Sequence, residues 1–508
     1  MTGPDRLAGL TSWHADWRGL RVAVLGLGVT GFSVADTLIE LGCDVLVFAS
    51  HSDPQREELL SVIGAGLVIR ELDSVDENDG NADDIAGFAP DLVVTSPGFP
   101  PSHPLIRWAA QAGVPVWGDV ELAWRLRDKV SEPAPWLVVT GTNGKTTTVQ
   151  LATAMLIADG KRAIACGNVG VPVLDAIRDP VGWDVLVVEL SSFQLHYTDS
   201  MSAYSSVCLN VAADHLDWHG SAEAYEQAKA KVYERTQVAA VFNRSDATTL
   251  AMVENADVVE GCRAIGFGLG IPGPSDFGVV EGILCDRAFL DDRRNAALEL
   301  VTVEELSRVA LGSPHMVANV LAAAALVRSF GASVPAIHTA LVGFRLDHHR
   351  TETVAVGHGI RWVNDSKATN PHAAVAALSS FESVVWIVGG LLKGVAVDEL
   401  VSRQAARLRA VVIIGAERAA LRDAFARHAP AIPVFEVDTL DTEEVMPSAV
   451  RLSAGVAVAG DVVLLAPAAA SMDQFRDYAV RGRRFSQAVQ QFLGDEADDD
   501  EQAPPPHA

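Results

Sequence analysis

GTNGKTT, residues Gly141 to Thr147, directly follows the apolar run WLVVT, Trp136 to Thr140. A buried strand that delivers small residues and a lysine into the start of a helix reads as a phosphate-binding loop. The glycines let backbone N–H groups approach phosphate oxygens, Lys145 adds a charge, and Thr146 offers a hydroxyl to magnesium. The loop is shorter than the general GxxxxGK[ST] pattern, but its strand-to-helix setting separates it from a chance glycine turn.

Outward from the loop, strands and helices alternate, which implies an α/β domain with a mainly parallel sheet. WDVLVVEL ends at Glu189, where a carboxylate can reach a magnesium ion held by the loop hydroxyl and nucleotide phosphates. SVCLNV ends before Asp214, and His215 follows in NVAADHLDWHG. A histidine there reads as a metal ligand, a substrate contact or a satisfied loop residue, and position alone leaves all three open. The helical stretch SAEAYEQAKAKVYERT carries Lys229 and Lys231, which by spacing alone read as a solvated polar face.

Before this domain lies LRVAVLGLGVTG, from Leu20, a strand entering a glycine turn, and FSVADTLIELG then continues with helical spacing. Gly26, Gly28 and Gly31 match GxGxxG, which fits NAD, another nucleotide diphosphate, or a plain tight turn. NAD is disfavoured because Phe48, Ala49 and Ser50 stand where a ribose-binding acid is expected. Ser131 to Pro135, SEPAP, reads as a linker. After the helix PHMVANVLAAAALVRSF, a third series of strands appears in IRWVNDS, SVVWIVGG, AVVIIG and DVVLLAP. Its loops NDSKATNP, GGLLKG and APAAASMDQF carry Asp365, Lys367, Thr369, Asn370, Lys393, Ser471 and Asp473. Loops at strand C-terminal ends are expected to converge on one crevice. The expected domains are therefore 1–132, 133–346 and 347–494, with DEADDDEQAPPPHA, 495–508, as a disordered acidic tail.

Composition agrees with several packed cores. At 508 residues the chain exceeds one ordinary core, and 49% hydrophobic against 20% charged residues is globular. A formal charge of -26 repels phosphate backbones, so no nucleic-acid partner is expected. The five cysteines form no CxxC pair, which fits a reducing cytoplasm. No signal segment or membrane-length apolar run is read, so neither secretion nor membrane insertion is expected.

GLGVTG, TSPG, GTNGKTT, GNVG, ELSSFQL, ADHLDWHG, HRTE, NDSKATN and LLAPAAASMDQF together resemble the Mur ligases, from about residue 20 to 493. ELSSFQL and SMDQF resemble the D-glutamate-adding branch of that family. The resemblance implies three α/β domains: a Rossmann-like first domain for a UDP-sugar, a central P-loop ATPase-like domain, and a Rossmann-like C-terminal domain for the incoming amino acid. It implies a monomeric enzyme that uses ATP and Mg2+ to add D-glutamate to UDP-N-acetylmuramoyl-L-alanine through an acyl phosphate.

The same resemblance carries roles onto matching positions. Gly141, Thr142, Asn143, Gly144, Lys145, Thr146, Thr147, Asn319, Arg350 and Asp365 correspond to ATP contacts. Thr146, Glu189, His215 and Lys229 correspond to metal-binding positions, with Lys229 carbamylated by carbon dioxide and so converted to an anionic oxygen ligand. Lys145, His215, Lys229 and Lys367 take catalytic roles, Lys367 on the transferring phosphoryl group. Gly28, Val29, Thr30, Gly98, Asn168 and His215 correspond to the UDP-substrate site, and Thr369, Lys393, Ser471 and Tyr478 to D-glutamate. Ala49, Met316 and Leu392 depart from the family pattern, in residues tied to nucleotide recognition rather than to phosphoryl transfer.

Overall fold

The structure, a computed structural model, describes residues 3–50, 54–69, 81–130, 132–345, 351–392 and 395–502. They fall into two compact units, one within Met1–Val211 and Trp218–Phe344, the other within Ala212–Asp217 and Arg345–Ala508.

The first unit contains two sheets. One consists of β1 (Arg21–Leu25), β2 (Asp44–Ala49), β3 (Gly66–Ile69), β4 (Leu92–Thr95) and β5 (Val116–Gly118), all parallel in the order β3-β2-β1-β4-β5. Valine and leucine fill these strands because helices cover both faces, which a parallel sheet requires. The order reverses beside β1, so the turn after β1 opens at a topological switch point.

The other sheet consists of β6 (Trp136–Thr140), β7 (Ala163–Gly167), β8 (Val185–Glu189), β9 (Ser205–Cys208), β10 (Ala239–Asn243), β11 (Arg263–Phe267), β12 (Asp276–Val280), β13 (Ile283–Asp286) and β14 (Leu298–Thr302). Its order is β14-β13-β12-β11-β10-β9-β6-β8-β7. Strands β6 to β12 are parallel, and β13 and β14 extend the edge antiparallel through a hairpin that the alternation pattern did not reveal. Strand β6 is buried along its whole length between β8 and β9, so its C-terminal loop lies centrally.

The two sheets share one hydrophobic core that includes Val120, Trp124 and Trp136. Polar contacts reinforce it: Ser33 Oγ donates to Asp175 at 2.5 Å, and Arg178 pairs with Asp36 at 2.6 Å and Glu40 at 2.9 Å.

The second unit is built on β15 (Glu352–Gly357), β16 (Ile360–Asn364), β17 (Val384–Gly389), β18 (Leu408–Ile414), β19 (Val434–Glu436) and β20 (Val462–Leu465). The order is β15-β16-β20-β17-β18-β19, with only β15 antiparallel. Separate cores cover the two faces of this sheet. The last helix, Tyr478–Gln502, keeps a helical backbone into the stretch read from sequence as a solvated tail. The side chains of 495–502 and all of 503–508 lie outside the described residues. No helix among the described residues is long and apolar enough to cross a membrane.

Candidate active site

Strand β6 ends at Thr140, and Gly141 and Gly144 then take φ values of 148° and 86°, which favour glycine. A Cβ on Gly144 would sit 2.4 Å from Asn319 Oδ1, so this glycine also admits the Asn319 side chain against the loop. The helix Lys145–Ala158 begins there with no side-chain hydrogen bond from its N-cap Gly144, and a helix N-terminus favours an anion. Lys145 Nζ folds across the loop and donates to Gly141 O at 2.9 Å and Thr142 O at 3.0 Å.

The neighbouring strands fix this loop. Asn210, just after β9, accepts from Thr142 N on its carbonyl and from Asn143 N on Oδ1, both at 2.9 Å, and donates from Nδ2 to Asn143 O at 3.1 Å. Tyr225 OH pairs with Thr142 Oγ1 at 2.8 Å. Neither Asn210 nor Tyr225 was singled out in the sequence. The asparagine ending SVCLN, two residues beyond a strand, was the available signal.

Lys229 sits on the helix Ala222–Ala230 and is only 2% exposed. Its Nζ donates to Gly141 O at 2.9 Å and lies 4.7 Å from the centre of the Tyr225 ring. The solvated-face reading of this residue is therefore corrected. The face that carries Lys229 packs on the loop, because Tyr225 four residues earlier turns inward beside it.

Glu189 ends β8, opposite Val139 of β6. It is 1% exposed; Oε1 accepts from Asn168 Nδ2 at 3.0 Å, while Oε2 is buried without a hydrogen-bond partner. A buried carboxylate oxygen left unmatched is costly, and a cation beside it removes the cost. Glu189 Oε2 and the Thr146 hydroxyl, buried one residue into the helix, are hard oxygen donors of the kind magnesium takes. The residues present fit that ion.

In the sheet of β1 to β5, the three glycines divide by function. A Cβ on Gly31 would lie 2.0 Å from Gly26 O, and one on Gly26 would lie 2.8 Å from Ser96 Oγ, so both are required by packing. Gly28 would meet nothing within 4 Å and caps the helix Val29–Glu40, whose first residue, Val29, is 60% exposed. Gly28, Val29 and Thr30 thus present an open helix start at the switch point. Gly98 O accepts from Trp218 Nε1 at 3.3 Å, and Trp218 stacks on Phe193 of ELSSFQL at 4.6 Å.

A buried polar link also joins the two sheets. Asp119 Oδ2 accepts from Gln194 Nε2 at 3.1 Å, while Oδ1 has no partner. Burial pushes the Asp119 carboxyl up to about 6, against the opposing pull of the Gln194 hydrogen bond. Burial would raise Glu121 too, but hydrogen bonds from Ser200, Asp199 N and Arg125 hold its carboxyl below the ordinary value.

In the second unit, β16, β20 and β17 are adjacent, so the loops after them share one end of the sheet. Asp365 Oδ1 accepts from Thr351 N at 3.0 Å. Lys367 Nζ lies 5.1 Å from the centre of the Tyr478 ring, and Thr369 N donates to Lys367 O at 2.9 Å. Ser471 is buried, and Leu391 and Ala470 exchange backbone hydrogen bonds at 3.0 Å, tying the loop after β17 to that after β20. Arg350 and Lys393 lie outside the described residues. His215 adopts a φ of 52°, and its N–H donates to Asp214 Oδ1 at 2.9 Å, while Asn370 Nδ2 donates to Asp214 Oδ2 at 3.2 Å.

The sequence reading also missed Arg481. It is 1% exposed and donates to Ser366 Oγ at 3.0 Å, Ser366 O at 2.9 Å and Ala469 O at 3.1 Å, clamping the loops after β16 and β20 together. Burial pulls its guanidinium down to about 9, against the pull of Asp473.

Comparisons with known proteins cover the same three regions. A family model described as a Mur ligase MurD-like N-terminal domain matches residues 20–118, a Mur ligase middle domain matches 139–327, and a Mur ligase glutamate ligase domain matches 349–469. A protein of Leifsonia xyli subsp. xyli named UDP-N-acetylmuramoylalanine--D-glutamate ligase is 61% identical, over 99% of this chain and 98% of its own length. A Streptomyces avermitilis protein of the same name is 51% identical, over 93% and 98%. Among solved structures, a pseudomurein peptide ligase type C from Methanothermus fervidus aligns with a TM-score of 0.55 at 16% identity, over 93% of this chain and 100% of its own. The UDP-N-acetylmuramate-alanine ligase of Thermotoga maritima aligns with a TM-score of 0.53 at 20% identity and the same coverage. These two alignments bear on the fold alone.

Proposed function

The chain belongs to the Mur ligase family, and from that premise we propose that it joins D-glutamate to UDP-N-acetylmuramoyl-L-alanine at the expense of ATP, in cytoplasmic peptidoglycan precursor synthesis. The observation that carries the choice of amino acid is the 61% identity, over 99% of this chain, to a relative named for D-glutamate.

The chemistry explains the residue types. A carboxylate is a poor acyl electrophile, and its charge repels the ATP phosphates. One carboxylate oxygen of the terminal L-alanine attacks the γ-phosphorus, the bond from that phosphorus to the bridging oxygen breaks, and ADP leaves an acyl phosphate behind. The D-glutamate amine then attacks the acyl carbon and loses a proton, and phosphate departs with the oxygen it gained.

Lys145 and the uncapped helix N-terminus hold the ATP phosphates during the first step, with Asn319 against the loop. Thr146 and Glu189 would hold a magnesium ion, which would supply positive charge against the phosphates and the incoming carboxylate. His215 and Lys229 serve a second metal position. The side chain of Lys229 is buried against the phosphate loop, and a carbamate formed on its amine would supply an oxygen ligand there. Addition of the amine to carbon dioxide releases one proton, and the carbamate keeps an N–H for Gly141 O. Arg350 and Asp365 bind ATP, and Lys367 steadies the transferring phosphoryl group. Gly28, Val29, Thr30, Gly98 and Asn168 bind the UDP-sugar. Thr369, Lys393, Ser471 and Tyr478 bind D-glutamate. The working form is a monomer.

Phosphate release from ATP tests the reading. It will require UDP-N-acetylmuramoyl-L-alanine and D-glutamate together; comparable release with L-alanine as donor, or with a folate as acceptor, overturns it.

A further inference from the structure

The loop after β4, SPGFPP from Ser96 to Pro101, is poor in donors of its own, because Pro97, Pro100 and Pro101 have no backbone N–H. Its carbonyls therefore depend on donors from elsewhere to satisfy and orient them. Two are supplied at neighbouring residues: Trp218 Nε1 donates to Gly98 O at 3.3 Å, and Tyr197 OH donates to Phe99 O at 3.1 Å.

Both donors come from the chain around the central sheet, and both are fixed there. Trp218 is 9% exposed and stacks on Phe193 with ring centres 4.6 Å apart and planes 26° apart. Its ring also meets those of His196 and Tyr197 edge-on, at 5.4 Å and 6.1 Å. Tyr197 directly follows the helix Ser192–His196, and its own carbonyl accepts from Gly118 N at 3.1 Å, at the end of β5.

The braced loop bears in turn on the glycine turn after β1. Strand β4 pairs with β1, and a Cβ on Gly26 would lie 2.8 Å from Ser96 Oγ and 3.1 Å from Phe99 Cε2. A shift of Phe99 would therefore reach the turn that carries Gly28. Gly98 itself is exposed, and a Cβ there would meet nothing within 4 Å, so it offers open backbone beside that turn.

We propose that Tyr197 and Trp218 are positioning residues for the UDP-sugar: through two backbone carbonyls they hold the loop after β4, and with it Gly98 and the turn around Gly28, in the form that binds. The proposal rests on the assignment of Gly28, Val29, Thr30 and Gly98 to that substrate. Neither aromatic side chain needs to touch it.

The test combines calorimetric titration of the full chain with UDP-N-acetylmuramoyl-L-alanine and steady-state kinetics. Tyr197→Phe removes the hydroxyl alone, and Trp218→Phe keeps a ring against Phe193 while removing the indole N–H. Each is expected to weaken nucleotide binding about three- to fivefold, the upper figure being the worth of one net hydrogen bond to the population of the competent loop. KM for the UDP-sugar should rise by the same factor, with KM for ATP and for D-glutamate unchanged. Tyr204→Phe is the control: its hydroxyl donates to Ser329 O at 3.4 Å, before β9 rather than after it, and its loss should leave all these constants as they are. Tyr197→Phe decides alone if Trp218→Phe does not fold. Wild type that fails to bind the nucleotide overturns the assignment of the site and the proposal with it. Wild type that binds while either variant binds as tightly, or a KM for ATP that rises alongside, overturns the proposal alone.

Discussion

Lys229 Nζ donates to the Gly141 carbonyl at 2.9 Å, joining the end of one helix to the phosphate loop across 88 residues of sequence. The contact places a buried amine against the loop proposed to hold the ATP phosphates. It also makes Lys229 part of the loop's own framework.

Lys229→Ala is therefore expected to lower the ligation rate by on the order of 100-fold or more, if the carbamate proposed on this residue is the metal ligand. A short carboxylate such as formate or acetate added to the mutant should recover part of the loss. The check is the ligation rate across a carboxylate titration, with wild type as control. Full activity in the unsupplemented mutant removes Lys229 from the chemistry.

The glycines of the first turn make a paired prediction. Gly31→Ala places a Cβ 2.0 Å from Gly26 O and should lower the thermal midpoint by several degrees. Gly28→Ala meets open space at a φ of -72° and should fold normally. Its effect should instead be a higher KM for the UDP-sugar at unchanged KM for ATP. Melting curves and steady-state kinetics on the two variants separate a packing glycine from a binding one.

Asp119 sets a pH dependence. Its folded carboxyl titrates near 6 rather than at 3.8, so between those values the folded state holds a proton that the unfolded state has lost. Stability carried by this group is full below 3.8 and falls as pH rises through 6, by about 3 kcal/mol at 1.36 kcal/mol per unit. Asp119→Asn cannot ionise and can still accept from Gln194. The difference in thermal midpoint between variant and wild type should widen in the variant's favour from pH 4 to pH 7; a constant difference contradicts this.

Much of the candidate site was legible in the sequence because its residues sit at strand ends, where apolar runs stop and polar residues begin. GTNGKTT, Glu189, Asp365 and Ser471 were all visible in that way. The setting of Lys229 was not, since helical spacing does not say which face a tyrosine will turn inward. Asp119 and Gln194 lie 75 residues apart on different helices, so nothing local marks them as partners. Arg481 was hidden for the opposite reason: in a helix rich in arginine, one buried guanidinium looks like its exposed neighbours. The hairpin of β13 and β14 escaped because ILCD and LELVT are too short to stand out from their surroundings.

The central claim is that the L-alanine carboxylate is activated by phosphoryl transfer before the amine arrives. Oxygen-18 placed in that carboxylate of UDP-N-acetylmuramoyl-L-alanine, with the released phosphate read by mass spectrometry, tests it most directly. The mechanism predicts one labelled oxygen in each phosphate released during D-glutamate ligation, with the other retained in the new amide. Unlabelled phosphate released in step with ligated product would contradict it.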